Sequence, residues 1–224
     1  MNEKRKKILI WLLDVGVNLV VIIILVFAIQ KWIIAPFDVS GSSMCNTLNF
    51  INDECKGGYG EKIIINEALY FIDEPERGEI VVFKAPQENA QDEEKFFIKR
   101  VIGTPGDKIE IKDGEIYIKA KGSPKTVKIE EPYLNDTNRH NTESKNFLSY
   151  EVPEGKYLLL GDNRIASTDA RSCFMDSSVS FECKKNPEKA YINRSDIRGK
   201  AWVVWWPLKS MRKLEVASYP ELAL

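Results

Sequence analysis

One stretch of this 224-residue chain constrains what the rest can fold into, the run over residues 8–30. Residues 8–29 are apolar apart from Asp14 and Asn18, and Leu19–Ile29 carries no polar residue. As a helix, 8–29 would be about 33 Å long at ~1.5 Å per residue, matching a hydrocarbon core of roughly 30 Å. Lys4, Arg5, Lys6 and Lys7 precede it against a single Glu3, and Lys31 and Trp32 follow as interface residues. Positive charge concentrated before a span predicts that side to be cytoplasmic. The expectation is a cytoplasmic stub over 1–7, a single transmembrane anchor over 8–30, and an extracytoplasmic part over 31–224. A cleaved leader would have a shorter apolar core and a small-residue cleavage site, and Phe27–Trp32 offers none. A soluble core helix would not be apolar on every face. Asp14 and Asn18, four apart, share one face, where they snorkel, meet a helical partner or act as a charge relay.

Ile33–Val39, with Pro36, reads as a short link off the bilayer. From residue 62 the pattern changes to short runs rich in Ile, Val, Phe, Tyr and Trp. These are Lys62–Asn66, Ala68–Ile72, Glu79–Phe83, Lys95–Ile102, Lys108–Lys112, Glu115–Lys119, Thr126–Ile129, Lys156–Leu160 and Lys200–Trp206. Turn signals separate them, among them Thr104-Pro105-Gly106-Asp107 and Gly161-Asp162-Asn163. Lys112-Asp113-Gly114-Glu115 between two alternating runs predicts a hairpin. No long amphipathic helix is visible after residue 40, so the part beyond the anchor reads as mainly β and antiparallel. Gln87–Lys95, Asn135–Asn146 and Asp176–Glu188 are polar excursions, the first a solvated hairpin tip.

Formal net charge is −1, which leaves no basic field for nucleic acid. One histidine, His140, and no metal-ligand spacing argue against a metal or other cofactor. Cysteines at 45, 55, 173 and 183 allow three fully paired connectivities that sequence does not separate, although Cys173 and Cys183 bracket a short polar loop. An extracytoplasmic location permits disulfides.

Three stretches carry candidate chemistry. Gly41-Ser42-Ser43-Met44-Cys45-Asn46-Thr47-Leu48 lies just past the anchor and offers Ser43 as a nucleophile, with Cys45 as the competing one; alone it reads as a turn. In Phe96-Phe97-Ile98-Lys99-Arg100-Val101-Ile102, strand alternation places Lys99 on one face with Phe97 and Val101. Burial among apolar groups lowers a lysine's pKa, as a lysine general base requires; the plainer reading is an edge lysine that snorkels. Gly161–Arg171 is a polar turn in which Asp162 or Asp169 can pair with Arg164 or Arg171.

The ordered combination resembles the bacterial type I signal peptidases, membrane-bound Ser/Lys proteases that remove signal peptides from exported proteins. Their sequences carry Gly-x-Ser-Met-x-Pro-Thr-Leu, Arg-Gly-Asp-Ile-Val-Val-Phe, Lys-Arg-Val-Ile-Gly-x-Pro-Gly-Asp and Gly-Asp-Asn-Arg-x-x-Ser-x-Asp-Ser-Arg. Here the matching stretches are Gly41–Leu48, Arg77–Phe83, Lys99–Asp107 and Gly161–Arg171. Glu131-Pro132-Tyr133-Leu134 and Gly199-Lys200-Ala201 are similar too. The resemblance implies an antiparallel β catalytic domain with a small inserted β subdomain at about 113–150. It implies Ser43 as nucleophile, Lys99 as general base, Ser167 orienting the lysine amine, and Asp169 with Arg171 bracing that loop. The Ser43 N–H would serve an oxyanion hole; some relatives add a hydroxyl where this chain has Gly41. Secretory preproteins and the lipid bilayer are the implied partners, and no cofactor is implied.

Departures from the pattern are Asn46 for proline, Glu79 for aspartate, Ala170 for serine and Phe174 for glycine, with longer segments at 49–61 and 173–189. They motivate an alternative, a catalytically impaired relative acting as an anchored peptide-binding module. A Ser-His-Asp triad would have to use His140, which matches no motif. A self-cleaving repressor domain would need a DNA-binding region where this chain has its apolar span.

Overall fold

The computed structural model describes residues 3–32, 34–86, 94–175 and 180–223. The apolar run forms one helix, α1 (Glu3–Trp32), extending past both expected ends. Its window Lys6–Phe27 is long and apolar enough to cross a membrane. Its described apolar side chains, Ile8 to Phe27, are exposed. Asn18 Nδ2 donates back to the Asp14 carbonyl at 2.8 Å, so this amide finds its partner within the helix.

Eight of the nine expected runs hold strands, and the described residues contain fourteen strands in all. They are β1 (Ile34–Ser40), β2 (Phe50–Ile51), β3 (Glu54–Cys55), β4 (Tyr59–Asn66), β5 (Ile80–Lys84), β6 (Phe96–Gly103), β7 (Lys108–Lys112), β8 (Glu115–Lys119), β9 (Val127–Lys128), β10 (Ser149–Glu151), β11 (Lys156–Leu160), β12 (Ile192–Asn193), β13 (Ile197–Trp206) and β14 (Arg212–Lys213). An eight-stranded sheet runs β1-β4-β13-β5-β6-β11-β12, with β14 against β13. A four-stranded sheet runs β10-β7-β8-β9, and β2 pairs β3. All pairings are antiparallel, and β7 and β8 form the hairpin turning at Asp113-Gly114.

β5 shows how the core is arranged. Val81 and Phe83 enter a cluster shared with Ile109, Ile111, Ile116 and Ile118 of the smaller sheet. Ile80 and Val82 enter a second cluster with Ile63, Ile65, Met44 and Leu48. Burial on both faces explains the unbroken apolar run in this strand. The large sheet curls until Phe37 of β1 meets Phe96 of β6, ring centroids 5.6 Å apart.

Two segments differ from the expectation. Ala68–Ile72 is not a strand: Ala68–Phe71 forms a 3₁₀ turn, started by Asn66 Oδ1 accepting from the Leu69 N–H at 3.0 Å. Ile34–Ser40 is a strand rather than a link; β1 is the sheet edge, the place in a sheet where a proline such as Pro36 is tolerated. Of the polar excursions, residues 87–93 and 176–179 lie outside the described residues.

Candidate active site

The loop Gly41–Leu48 leaves β1 and is held from within by Cys45 N–H to Ser42 O (3.0 Å) and Leu48 N–H to Met44 O (2.8 Å). Met44 and Leu48 are buried in the second cluster, which fixes the loop's base and leaves Ser43 half-buried at its tip. Gly41 has φ +86°, a backbone state that only glycine adopts freely. Its N–H donates to Gly58 O at 3.2 Å.

Lys99 comes from β6, opposite Val81 of β5. It is 3% exposed. Its Nζ donates to Ser43 Oγ at 2.7 Å and to Ile98 O at 2.8 Å. The Phe97 ring centroid lies 5.4 Å from Nζ, as side chains on one strand face require. Burial lowers the Lys99 pKa to about 8, opposed by the negative charges of Asp169 and Asp162. No other amine reaches Ser43 among the described residues.

The Gly161–Arg171 loop, delivered by β11, grips the Gly41–Leu48 loop from behind. Asn163 N–H donates to Ser43 O at 3.0 Å, and Asn163 Nδ2 to Ser42 O at 3.0 Å. A Cβ on Gly161 would lie 2.5 Å from Ser43 O and 2.1 Å from Ser167 Oγ, so the close approach of the loops requires glycine here. Asp169 and Arg171 form a bidentate pair, Nε to Oδ1 at 2.9 Å and Nη2 to Oδ2 at 2.8 Å. Burial alone would raise the Asp169 carboxyl, but Arg171 and the Gly161 N–H hold it at about 2. Asp162 pairs with neither Arg164 nor Arg171. It takes Arg100, Nε to Oδ1 at 2.9 Å and Nη2 to Oδ2 at 2.7 Å, and accepts from Thr47 Oγ1 at 2.5 Å. Arg164 turns to Glu131, Nη1 to Oε2 at 2.7 Å and Nη2 to Oε1 at 2.5 Å.

Ser167 Oγ is buried beside this cluster, and its hydroxyl adds to the pull that keeps the Asp169 carboxyl low. The bond expected from it to Lys99 is not made here; instead Lys145 Nζ donates to the Ser167 carbonyl at 2.7 Å. His140 is on the surface with Nδ1 2.5 Å from Glu115 Oε1. Cys45 is bonded to Cys55, and Cys173 to Cys183. Cys45 therefore carries no thiol to compete with Ser43. No three His, Cys, Asp or Glu side chains converge as a metal site among the described residues. A cavity of about 610 Å³ opens over Ser43 and Lys99, lined also by Phe37, Val39, Ile98 and Ala166.

The family profile described as signal peptidase, peptidase S26, matches residues 12–206. The chain belongs to that family. It is a serine-type endopeptidase, and within the family it is a bacterial type I signal peptidase. Signal peptidase IB of Staphylococcus aureus (strain COL) is 31% identical over 221 residues, covering 93% of this chain and 94% of that one. Signal peptidase I S of Bacillus subtilis (strain 168) is 29% identical over 217 residues, covering 94% and 96%. A crystal structure of a signal peptidase I from Enterococcus faecalis V583 is 26% identical, covering 58% of this chain and 97% of that one with a TM-score of 0.38.

Sequence reasoning about this peptidase missed the parts that hold the loops together. Asn163 and Asp162 lay inside a motif, but nothing local shows that one grips Ser42 and Ser43 and the other Thr47. Arg100, next to Lys99, was visible only as a strand residue facing the other way. Asn49 gave no signal: it is buried with φ +59°. Its Nδ2 donates to Val39 O, Gly41 O and Gly58 O.

Proposed function

We propose that this chain is a membrane-anchored endopeptidase that removes N-terminal signal peptides from secretory preproteins, using Ser43 and Lys99 as a catalytic dyad. The observation that carries this reading is the 2.7 Å contact between a buried lysine amine and the Ser43 hydroxyl, at the floor of the large cavity. Neutral Lys99 takes the Ser43 proton as Oγ attacks the scissile carbonyl. The protonated lysine then returns that proton to the leaving amine, giving an acyl group on Ser43 that a lysine-activated water hydrolyses. The Ser43 N–H takes part in none of the loop's hydrogen bonds and is free for the oxyanion. Asp169 and Arg171 brace the loop behind the dyad, and Ser167 is the candidate to hold the Lys99 amine once substrate excludes water. Gly41 supplies the turn that carries Ser43 and no second oxyanion hydroxyl.

The outer edge of β1 borders the cavity and offers unpaired backbone groups to an extended peptide. The apolar window in α1 and the cations before it support a single-pass anchor with a cytoplasmic N-terminus and the β part outside. The bilayer and preproteins are then the partners, with neither nucleic acid nor cofactor involved. The test is incubation of a model preprotein with the full chain in detergent, with mass analysis of the products. Wild type cuts once at the signal-peptide junction, while Ser43→Ala and Lys99→Ala leave the preprotein intact and melt as folded proteins. Full cleavage by either variant would sink the dyad.

A further inference from the structure

The segment between the nucleophile loop and β4 is tied to that loop at three levels. Gly41 N–H donates to Gly58 O at 3.2 Å and Lys56 N–H to Asn49 O at 2.9 Å. Asn49 forms a buried knot: its N–H donates to Glu61 Oε2 at 2.9 Å and its Oδ1 accepts from the Glu61 N–H at 2.8 Å. Arg212 closes the knot from β14, donating to Thr47 O at 2.7 Å and to both Glu61 oxygens. These bonds fix the two ends of the loop, at Gly41 and at Thr47–Asn49. Between them, where Ser43 sits, the chain has no proline and no regular secondary structure. The middle is held from behind by Asn163, which donates to the Ser42 and Ser43 carbonyls, by Met44 in the core, and on the side of the 49–58 segment by the Cys45–Cys55 bridge, two residues past the nucleophile.

We infer that the Cys45–Cys55 disulfide is a positioning element for Ser43, holding its Oγ at the Lys99 amine, so that turnover depends on the bridge being oxidised. This rests on Ser43 being the nucleophile. A reacting atom displaced by about 1 Å can lose on the order of a hundredfold in rate. The bridge is also open to chemistry. Cys55 is exposed in β3, whereas Cys173 and Cys183 are both buried. A dithiol reductant therefore reaches Cys55 first; it supplies two electrons and two protons, leaves two protein thiols and departs as its own cyclic disulfide.

The experiment uses the full chain in detergent with a model preprotein. Mild dithiol treatment is followed by thiol alkylation and peptide mass mapping, which identifies the opened bridge, while kcat, KM, the pH profile and thermal melting are measured on the same samples. With only the Cys45–Cys55 bridge open, kcat falls at least about tenfold while KM and the pH midpoint stay within a factor of two and 0.3 unit. Reoxidation of a reduced portion withheld from alkylation restores kcat. Cys45→Ala/Cys55→Ala shows the reduced kcat and no response to the dithiol. An unchanged kcat in the reduced enzyme overturns the inference, as does a fall in kcat accompanied by a lost melting transition. Ser43→Ala separates the two readings. If it is inert and the reduced enzyme keeps its kcat, only the bridge's role falls; if it cleaves, both readings fall.

Discussion

Lys99 is expensive to hold charged, and that cost can be measured. Its folded pKa is about 8 against the ordinary 10.5, with burial the cause. Below about pH 8 the lysine is protonated in both folded and unfolded chains, and the folded state bears the full cost, about 3 kcal/mol at ~1.36 kcal/mol per pKa unit. As pH rises from 8 towards 10.5 the folded lysine releases its proton first, so the cost is relieved and stability rises. Lys99→Met should accordingly be more stable than wild type at pH 7, and the gap should close towards pH 10; denaturant melts across that range check it. In the proposed mechanism the same proton governs turnover. With neutral Lys99 as base, kcat/KM for preprotein cleavage should rise with pH and reach half its plateau near pH 8. A profile flat from pH 6 to 9 would remove Lys99 from that role.

The strands with two-sided or alternating patterns were legible in sequence. Glu79–Phe83 reads as a strand from its run of Ile, Val and Phe, an unbroken run that the structure explains by apolar partners on both faces, and Lys108–Lys119 reads as a hairpin because Asp113-Gly114 sits between two alternating runs. Ala68–Ile72 was misread because a five-residue apolar run carries no period of its own; the Asn66 side chain decided for a 3₁₀ turn, a local competition that composition does not reveal. Ile34–Ser40 was misread because Pro36 argues against a strand everywhere except at an edge. For the site, the residue types of the proposed dyad were readable and the distances were not. Nothing in the sequence says that Asp162 chooses Arg100, 62 residues away, over the nearer Arg164. That pair carries a prediction. Asp162→Ala leaves the Arg100 guanidinium buried without its partner, a cost of about 3–5 kcal/mol, and frees the Thr47 hydroxyl beside the nucleophile loop. Urea denaturation should show the loss, and cleavage should fall with it. Gly161→Ala acts differently: its Cβ would strike the Ser43 carbonyl and Ser167 Oγ, pushing the two loops apart. Preprotein cleavage should drop by at least about a hundredfold, with a smaller stability loss of about 1–3 kcal/mol.

At the scale of the whole molecule the chain divides into a helix that buries none of its described apolar window and a β body with its own two-sided core. Removing residues 1–32 should leave the cooperative melt of the β body in place while reducing co-sedimentation with lipid vesicles at least tenfold, since the helix supplies most of the apolar area open to lipid. The strand that follows the helix has a further consequence. β1 has seven residues and ends three short of Ser43. At ~3.3 Å per residue it measures about 23 Å, and the covalent leash from Trp32 to Ser43 cannot exceed about 40 Å. If α1 holds the enzyme to the bilayer, as proposed, that leash limits how far from the lipid Ser43 can work. A scissile bond would then be cut only within that distance of the membrane, so a longer spacer between a substrate's own membrane segment and the junction would carry the bond out of reach without altering a single side chain that the cavity contacts.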